Sequence, residues 1–431
     1  ASICVMDYNG HVVGVVGGRG EKKGNRTLNR ATQSPRQPGS AIKPLSAYAP
    51  AIEYNMLTYG SKVLDQPINT TIDGKSGRWP VNYSGYYSGR VSATWALEES
   101  LNTIPVRLIK EMGERRSFDF LTKKLGIHNY VESVDVNGSK KSDINLSSLA
   151  VGGSVYGVTS RELTAAYATF GNLGYYWKPT TYTKVLDQKN EIVLKQQERP
   201  VSAMSEDTAN IMNEMLQRVT KNGTGSPAKF GNWPIISKTG TTTDTKDRWF
   251  VGGTPYYVAS VWFGYDTNEK MNIRGTNPAL RVWNAAMQPI HKSLELKDFP
   301  ESSTCKYMKY CNSSGMVATS GCSSVSYGWF KGGYQPTCNI HSGVKLDPIT
   351  KPKPVGNTKP VKDEGNSSGN NSGGNSNNDN KTNGDNKKTT TNKSTEVTVT
   401  TKSQEKTTSK PTQEITTEIT LPPPTKPIRT D

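Results

Sequence analysis

The composition of the chain changes abruptly near residue 343, and that break limits what can fold. Residues 343–431 are nearly all Asn, Thr, Lys, Gly, Ser and Pro. Such a segment buries too little apolar surface to offset the entropy lost on ordering, so it is expected to be a disordered tail. Residues 1–342 are different, with Trp, Tyr and Val recurring between well-spaced turn signals. The expected division is a main domain over 1–300, a small Cys-containing cap over 301–342 and the tail over 343–431.

The chain carries a net charge of +16. The tail holds 14 Lys/Arg against 10 Asp/Glu, so most of the excess lies in the folded part. A basic protein can favour nucleic acid, an acidic membrane surface or an anionic polymer. No nucleic-acid motif is present, nor a dense Lys/Arg stripe interleaved with aromatics, so nucleic acid is not expected as a partner.

Of the five cysteines, Cys4 stands alone in a strand-like run, while Cys305, Cys311, Cys322 and Cys338 cluster in a short segment. An even cluster of this kind points to disulfides and an extracytoplasmic location. The competing reading is zinc, with His341 as a further ligand. The absence of a C-x-x-C pair favours disulfides, with Cys4 left free. No secretory signal and no long apolar run is present. The chain starts inside a strand-like run (residues 3–6), so it reads as a fragment whose upstream part, including a membrane anchor, is missing.

Two β runs, residues 2–8 and 11–16, are joined by Asn9-Gly10, a strong hairpin signal. A turn-rich stretch follows to Gly39, and a helical pattern begins at Ser40 and runs through Leu45, Tyr48, Ala49 and Ile52. Residues 55–90 read as loop. Residues 94–112 read as helix interrupted at Pro105. After the Gly152-Gly153 break, residues 161–170 are helical, and 205–219 form a helix capped by Ser205. Residues 233–265 alternate in strand fashion, and 282–290 look helical. Strands, then helices, then strands again predict an α+β fold, an antiparallel sheet flanked by helices.

Three short motifs carry the chemistry. In Pro38-Gly39-Ser40-Ala41-Ile42-Lys43, a serine sits where a Gly turn becomes a helix, and Lys43 lies three residues on, along the same face. A helix start favours developing negative charge, and a buried lysine of depressed pKa can take the serine proton. Ser100-Leu101-Asn102 projects a hydroxyl able to relay a proton and an amide able to hold a carbonyl. In Lys238-Thr239-Gly240-Thr241, on a strand, Lys238 and Gly240 face one way and Thr239 the other. The cation and hydroxyls suit a carboxylate, and the glycine would let a substrate backbone come close. Each motif is weak alone. In this order, 60 and 138 residues apart, they are specific.

The set matches the S-x-x-K, S-x-N, K-T-G signature of serine β-lactamases and penicillin-binding proteins, with Leu101 where that signature often has Asp. Further stretches resemble the transpeptidase domain of class A, bifunctional penicillin-binding proteins of Gram-positive type. They are Arg36-Gln37-Pro38-Gly39-Ser40, Leu149-Ala150-Val151-Gly152-Gly153, Gly223-Thr224-Gly225 and Trp249-Phe250-Val251-Gly252. The resemblance spans roughly residues 1–340 and extends to the Cys311–Cys338 region as a cap. It implies the transpeptidase fold with a helical subdomain, no cofactor and no metal in the active site. Peptidoglycan stem peptides and β-lactam antibiotics are the implied partners, at the outer face of the membrane. By the same resemblance Ser40 is the nucleophile, Lys43 its base, and Ser100 and Lys238 a proton shuttle. Asn102 holds the donor peptide, Thr239, Gly240 and Thr241 receive its terminal carboxylate, and the Ser40 and Thr241 N–H groups form the oxyanion hole.

A Ser-His-Asp hydrolase is disfavoured, since none of His11, His128, His291 and His341 sits in a triad context and no G-x-S-x-G occurs. A β-lactamase would need a dedicated base on water, for which no candidate stands out. A non-catalytic wall-binding module fits the charge and tail but not three intact motifs. D-Ala carboxypeptidase activity stays open, because water and amine compete for one intermediate.

Overall fold

In the computed structural model, residues 1–72, 75–196 and 199–352 are described. The Asn9-Gly10 turn joins β1 (Ser2–Met6) to β2 (Val12–Val16), as the sequence predicts. The later strand pattern resolves into β3 (Ile236–Thr241), β4 (Asp247–Gly253) and β5 (Val258–Gly264). The five strands form one antiparallel sheet in the order β3-β4-β5-β1-β2, so the chain's first strand closes against its last sheet strand, Ile3 opposite Val261.

Alternation along β1 divides the core. Cys4 and Met6 join Trp249, Val251 and Trp262 on one face, beneath the main helical layer. Ile3 and Val5 join Phe250, Val261, Leu280 and Trp283 on the other. That is the period-two signature of a strand covered on both sides. The helices include α1 (Ala93–Glu98), α2 (Thr103–Met112), α3 (Leu146–Val151), α4 (Ser160–Ala168), α5 (Glu206–Lys221) and α6 (Pro278–Ile290). Helix α4 starts with a capping box, Thr159 and Glu162 each bonding the other's backbone N–H. No helix among the described residues is long and apolar enough to cross a membrane.

Several expectations need correction. The helix predicted over 94–112 is two helices, and the break is not at Pro105. Pro105 sits in the first turn of α2, where a missing N–H leaves no bond unmade. The chain turns instead at Ser100, whose φ of 59° is left-handed. Residues 55–90 contain short paired strands, among them Lys62–Asp65 against Gly89–Ser92. Helix α6 starts at Pro278, four residues before the expected start, with Asn277 as its cap.

The cap is a hairpin of β6 (Lys306–Cys311) and β7 (Val325–Phe330) with the loops and isolated bridges around it. Its ordered contacts run past residue 343. Leu346 N donates to Ala318 O, Ile349 N donates to Tyr307 O, and Lys351 bonds the carboxylates of Glu214 and Glu301. Some of the backbone in those first ten residues is paired, which composition does not reveal; the rest of the expected tail lies outside the described residues. The disulfide expectation is overturned: all five cysteines are free. Cys305 stands apart, its thiol donating to Phe330 O at 3.2 Å, so the cluster holds an odd number of thiols.

Candidate active site

The nucleophile segment begins as a tight 3-10 turn (Gly39–Ile42), passes through a π turn (Pro44–Tyr48) and ends as an α turn (Ala49–Glu53). Its start is wedged against β3. A Cβ on Gly39, whose φ is 54°, would lie 2.4 Å from Thr241 O, and one on Gly240 would lie 2.3 Å from Pro38 O. Only glycine permits this approach. Gly240 therefore accommodates the protein's own chain at Pro38 and Ala41. The contact sets the Ser40 backbone beside that of Thr241. Tyr167 Oη donates to Ala41 O at 2.6 Å and Trp249 Nε1 donates to Gln37 O at 2.8 Å, fixing the segment from both sides.

Lys43 is fully buried. Its ammonium donates to Asn102 Oδ1 at 2.6 Å, Ser100 O at 2.7 Å and Leu101 O at 3.0 Å. Ser100 Oγ is 3.5 Å away. The left-handed turn at Ser100 aims these acceptors at one point. Lys43 N donates to Ser40 O, but among the described residues no hydrogen bond joins the two side chains, although the spacing predicts that they can meet. Catalytic contacts of this type commonly close only when substrate is present.

Lys238, also fully buried, donates to Ser100 Oγ at 2.7 Å. Ser100 thus stands between two lysines. Burial and the Lys238 charge hold Lys43 well below the usual lysine range. Burial brings Lys238 down to about 7. Desolvation penalises each ammonium, so neutral amines are accessible at physiological pH.

Asn102 is held in place by a relay from the floor. Buried Asp65 accepts from Asn82 Nδ2 at 2.8 Å and from Thr103 Oγ1 at 2.6 Å. Asn82 Oδ1 accepts from Asn102 N at 2.8 Å, and Asn102 Nδ2 donates to Val81 O at 2.6 Å. One amide N–H of Asn102 is left for another partner.

Ser40, Ser100, Asn102, Thr239 and Thr241 line one cleft of about 600 Å³, with Gly152 and Tyr83 on its walls. Thr224 and Arg248 are among the further polar residues that face it. Thr224 Oγ1 lies 3.0 Å from Thr239 Oγ1, and Arg248 Nη1 donates to Thr241 Oγ1 at 3.0 Å. Arg248 pairs with Thr241 in the β3–β4 register, so the hairpin pattern could have exposed it. Thr224 arrives from the end of α5, a neighbour only in three dimensions.

The family model described as "Penicillin binding protein transpeptidase domain" matches residues 1–288. The chain is 34% identical over 361 residues to penicillin-binding protein 1A of Clostridium tetani, covering 80% of this chain and 45% of that protein. It is 33% identical over 290 residues to penicillin-binding protein 4 of Bacillus subtilis, covering 66% of this chain and 43% of that protein. The chain thus spans under half the length of these curated relatives. Among solved structures, penicillin-binding protein 1A from Haemophilus influenzae shares the fold, with a TM-score of 0.66 at 22% identity over 79% of this chain and 54% of that one. PonA1 from Mycobacterium tuberculosis, solved in complex with penicillin V, gives 0.58 at 22% identity over 70% and 81%.

Proposed function

Because this chain belongs to the penicillin-binding protein transpeptidase family, and to its class A, 1A-type branch, we propose that it is a serine D,D-transpeptidase that cross-links peptidoglycan stem peptides through an acyl-enzyme on Ser40. The observation that carries this reading is the buried Lys43–Ser100–Lys238 chain, free of any carboxylate partner among the described residues, at the wall of the cleft that holds Ser40. It supplies a base for a serine hydroxyl without histidine.

In this mechanism a donor peptide enters with its terminal carboxylate toward Thr239, Thr241 and Arg248. The free amide N–H of Asn102 takes a peptide carbonyl. Ser40 Oγ attacks the carbonyl carbon of the penultimate D-Ala while neutral Lys43 takes its proton. The Ser40 and Thr241 N–H groups stabilise the oxyanion. The C–N bond then breaks, and the amine of the leaving D-Ala receives a proton through Ser100 and Lys238. An amine of a neighbouring stem peptide attacks the ester, forms the cross-link and releases Ser40. Water in place of that amine gives carboxypeptidase activity. A β-lactam acylates Ser40 by the same attack, but its leaving nitrogen stays tethered and blocks the acceptor. We place the reaction at the extracytoplasmic face of the cell membrane.

The test is labelling with a fluorescent penicillin followed by intact mass, on this chain and on Ser40→Ala. A stable adduct on the parent that vanishes in Ser40→Ala is expected. Rapid drug loss without an adduct would make the protein a hydrolase of β-lactams, and neither adduct nor loss would make it a non-catalytic module.

A further inference from the structure

The cap brings together residues far apart in sequence. Cys311 ends β6, Cys322 lies in the loop before β7, and Cys338 and His341 follow β7 in a C-x-x-H step. His341 Nδ1 lies 3.4 Å from Cys311 Sγ, 3.6 Å from Cys322 Sγ and 3.5 Å from Cys338 Sγ. One ligand atom from each of the four falls within a 4.8 Å span. A tetrahedral zinc ion with bonds of about 2.3 Å to sulfur and about 2.05 Å to nitrogen has S···N edges of about 3.6 Å. The three measured edges match that figure.

Cys322 is also set up as an acceptor. Thr319 N donates to its Sγ at 3.3 Å. A backbone donor aimed at sulfur suits a thiolate held by a cation, and such outer contacts orient metal ligands. Three thiols leave one unpaired under any disulfide scheme, whereas three thiolates and an imidazole complete a closed structural site.

The cap needs such a cross-link. Its own apolar cluster is only Met308, Val317 and Phe330, with Tyr310 against it. A core that small does not hold loops of this length in place without a staple. The cap in turn braces the catalytic domain. Asp207 of α5 accepts from Gly332 N at 2.7 Å and from Thr304 Oγ1 at 2.7 Å, and a Cβ on Gly60 would meet Gly315 O at 2.5 Å.

We propose that Cys311, Cys322, Cys338 and His341 form a structural zinc site that fastens the β6–β7 cap to the transpeptidase domain. Binding displaces the three thiol protons to solvent and leaves no open coordination position, so the ion takes no part in acyl transfer.

Elemental analysis of the full chain, purified without chelator, tests this. About one zinc per chain is expected. Cys338→Ser and His341→Ala should each lower the zinc content at least tenfold, while Cys305→Ser, outside the cluster, should retain it. Because a ligand variant can misfold, the unaltered chain is also stripped and titrated with Co2+. The expected result is the thiolate-to-cobalt charge-transfer absorption and visible bands of a tetrahedral thiolate site, saturating at one equivalent and displaced by Zn2+. Hydrogen exchange should then rise in residues 303–350 of the stripped chain and fall on adding zinc. An intact mass short by two hydrogens, with a disulfide between two of the three cluster cysteines, would overturn the proposal. So would a metal-free chain that gives no cobalt spectrum, or iron in place of zinc.

Discussion

Replacing Gly240 by alanine separates two roles for the Lys238-Thr239-Gly240 strand. The added Cβ would meet Pro38 O at 2.3 Å, Trp249 Cβ at 2.9 Å and Ala41 Cβ at 3.0 Å. Ordinary contact begins near 3.4 Å, so the start of the nucleophile segment must retreat by about 1 Å. Overpacking of this kind costs about 1–3 kcal/mol. With an unfolding entropy of about 2.1 cal/mol/K per residue over about 350 residues, that is a fall in Tm of roughly 1.5–4 °C. The effect on chemistry is larger, because a reacting atom misplaced by about 1 Å loses on the order of 100-fold in rate. Two assays on the same sample decide it: the second-order rate of acylation by a fluorescent penicillin, and the melting temperature. Both should fall in those proportions. Acylation that collapses with Tm unchanged would refute the packing argument and put Gly240 on the substrate side. A lowered Tm with acylation within threefold of the parent would refute the link between this contact and Ser40.

Acylation should have its pH limb far below 10.5, because Lys43 must be neutral to take the Ser40 proton and burial beside the Lys238 charge holds it well below the usual lysine range; a rate still climbing steeply above pH 9 would contradict it. The Lys238 shift acts on stability. Between about 7 and 10.5 the unfolded chain binds more protons at Lys238 than the folded one, so its contribution raises stability as pH rises through that window and is constant below it. A Lys238→Met variant should show a shallower pH dependence in denaturant titrations. Trp283→Ala should cost about 3–5 kcal/mol, since its ring is fully buried against Phe250 on the sheet face away from the cleft. The folded fraction should still be acylated within about twofold of the parent rate, and a tenfold loss would show that this face supports the site directly.

Much of the site is legible in residue order. The Asn9-Gly10 hairpin, the helical register of Ser40 and Lys43 and the strand around Lys238 follow from local geometry, and alternation in β1 already divides the core into two faces. The Asn277-Pro278 start of α6 was legible too, as a cap followed by proline. The Pro105 reading failed because proline breaks a helix interior but not a first turn.

Local sequence determined which residues carry reactive groups and in what order, because periodicity, capping and turn chemistry act over a few residues. It could not place Ser100 between two buried lysines, since the left-handed turn there and the depressed Lys43 and Lys238 depend on burial by segments 57 and 138 residues away. Nor could it show that Gly240 is pressed against Pro38. The same holds for the cap. An even count of cysteines in sequence reads as disulfides, whereas folding sets Cys305 apart and brings His341 to the other three, because distance in space and not spacing along the chain decides which sulfurs meet.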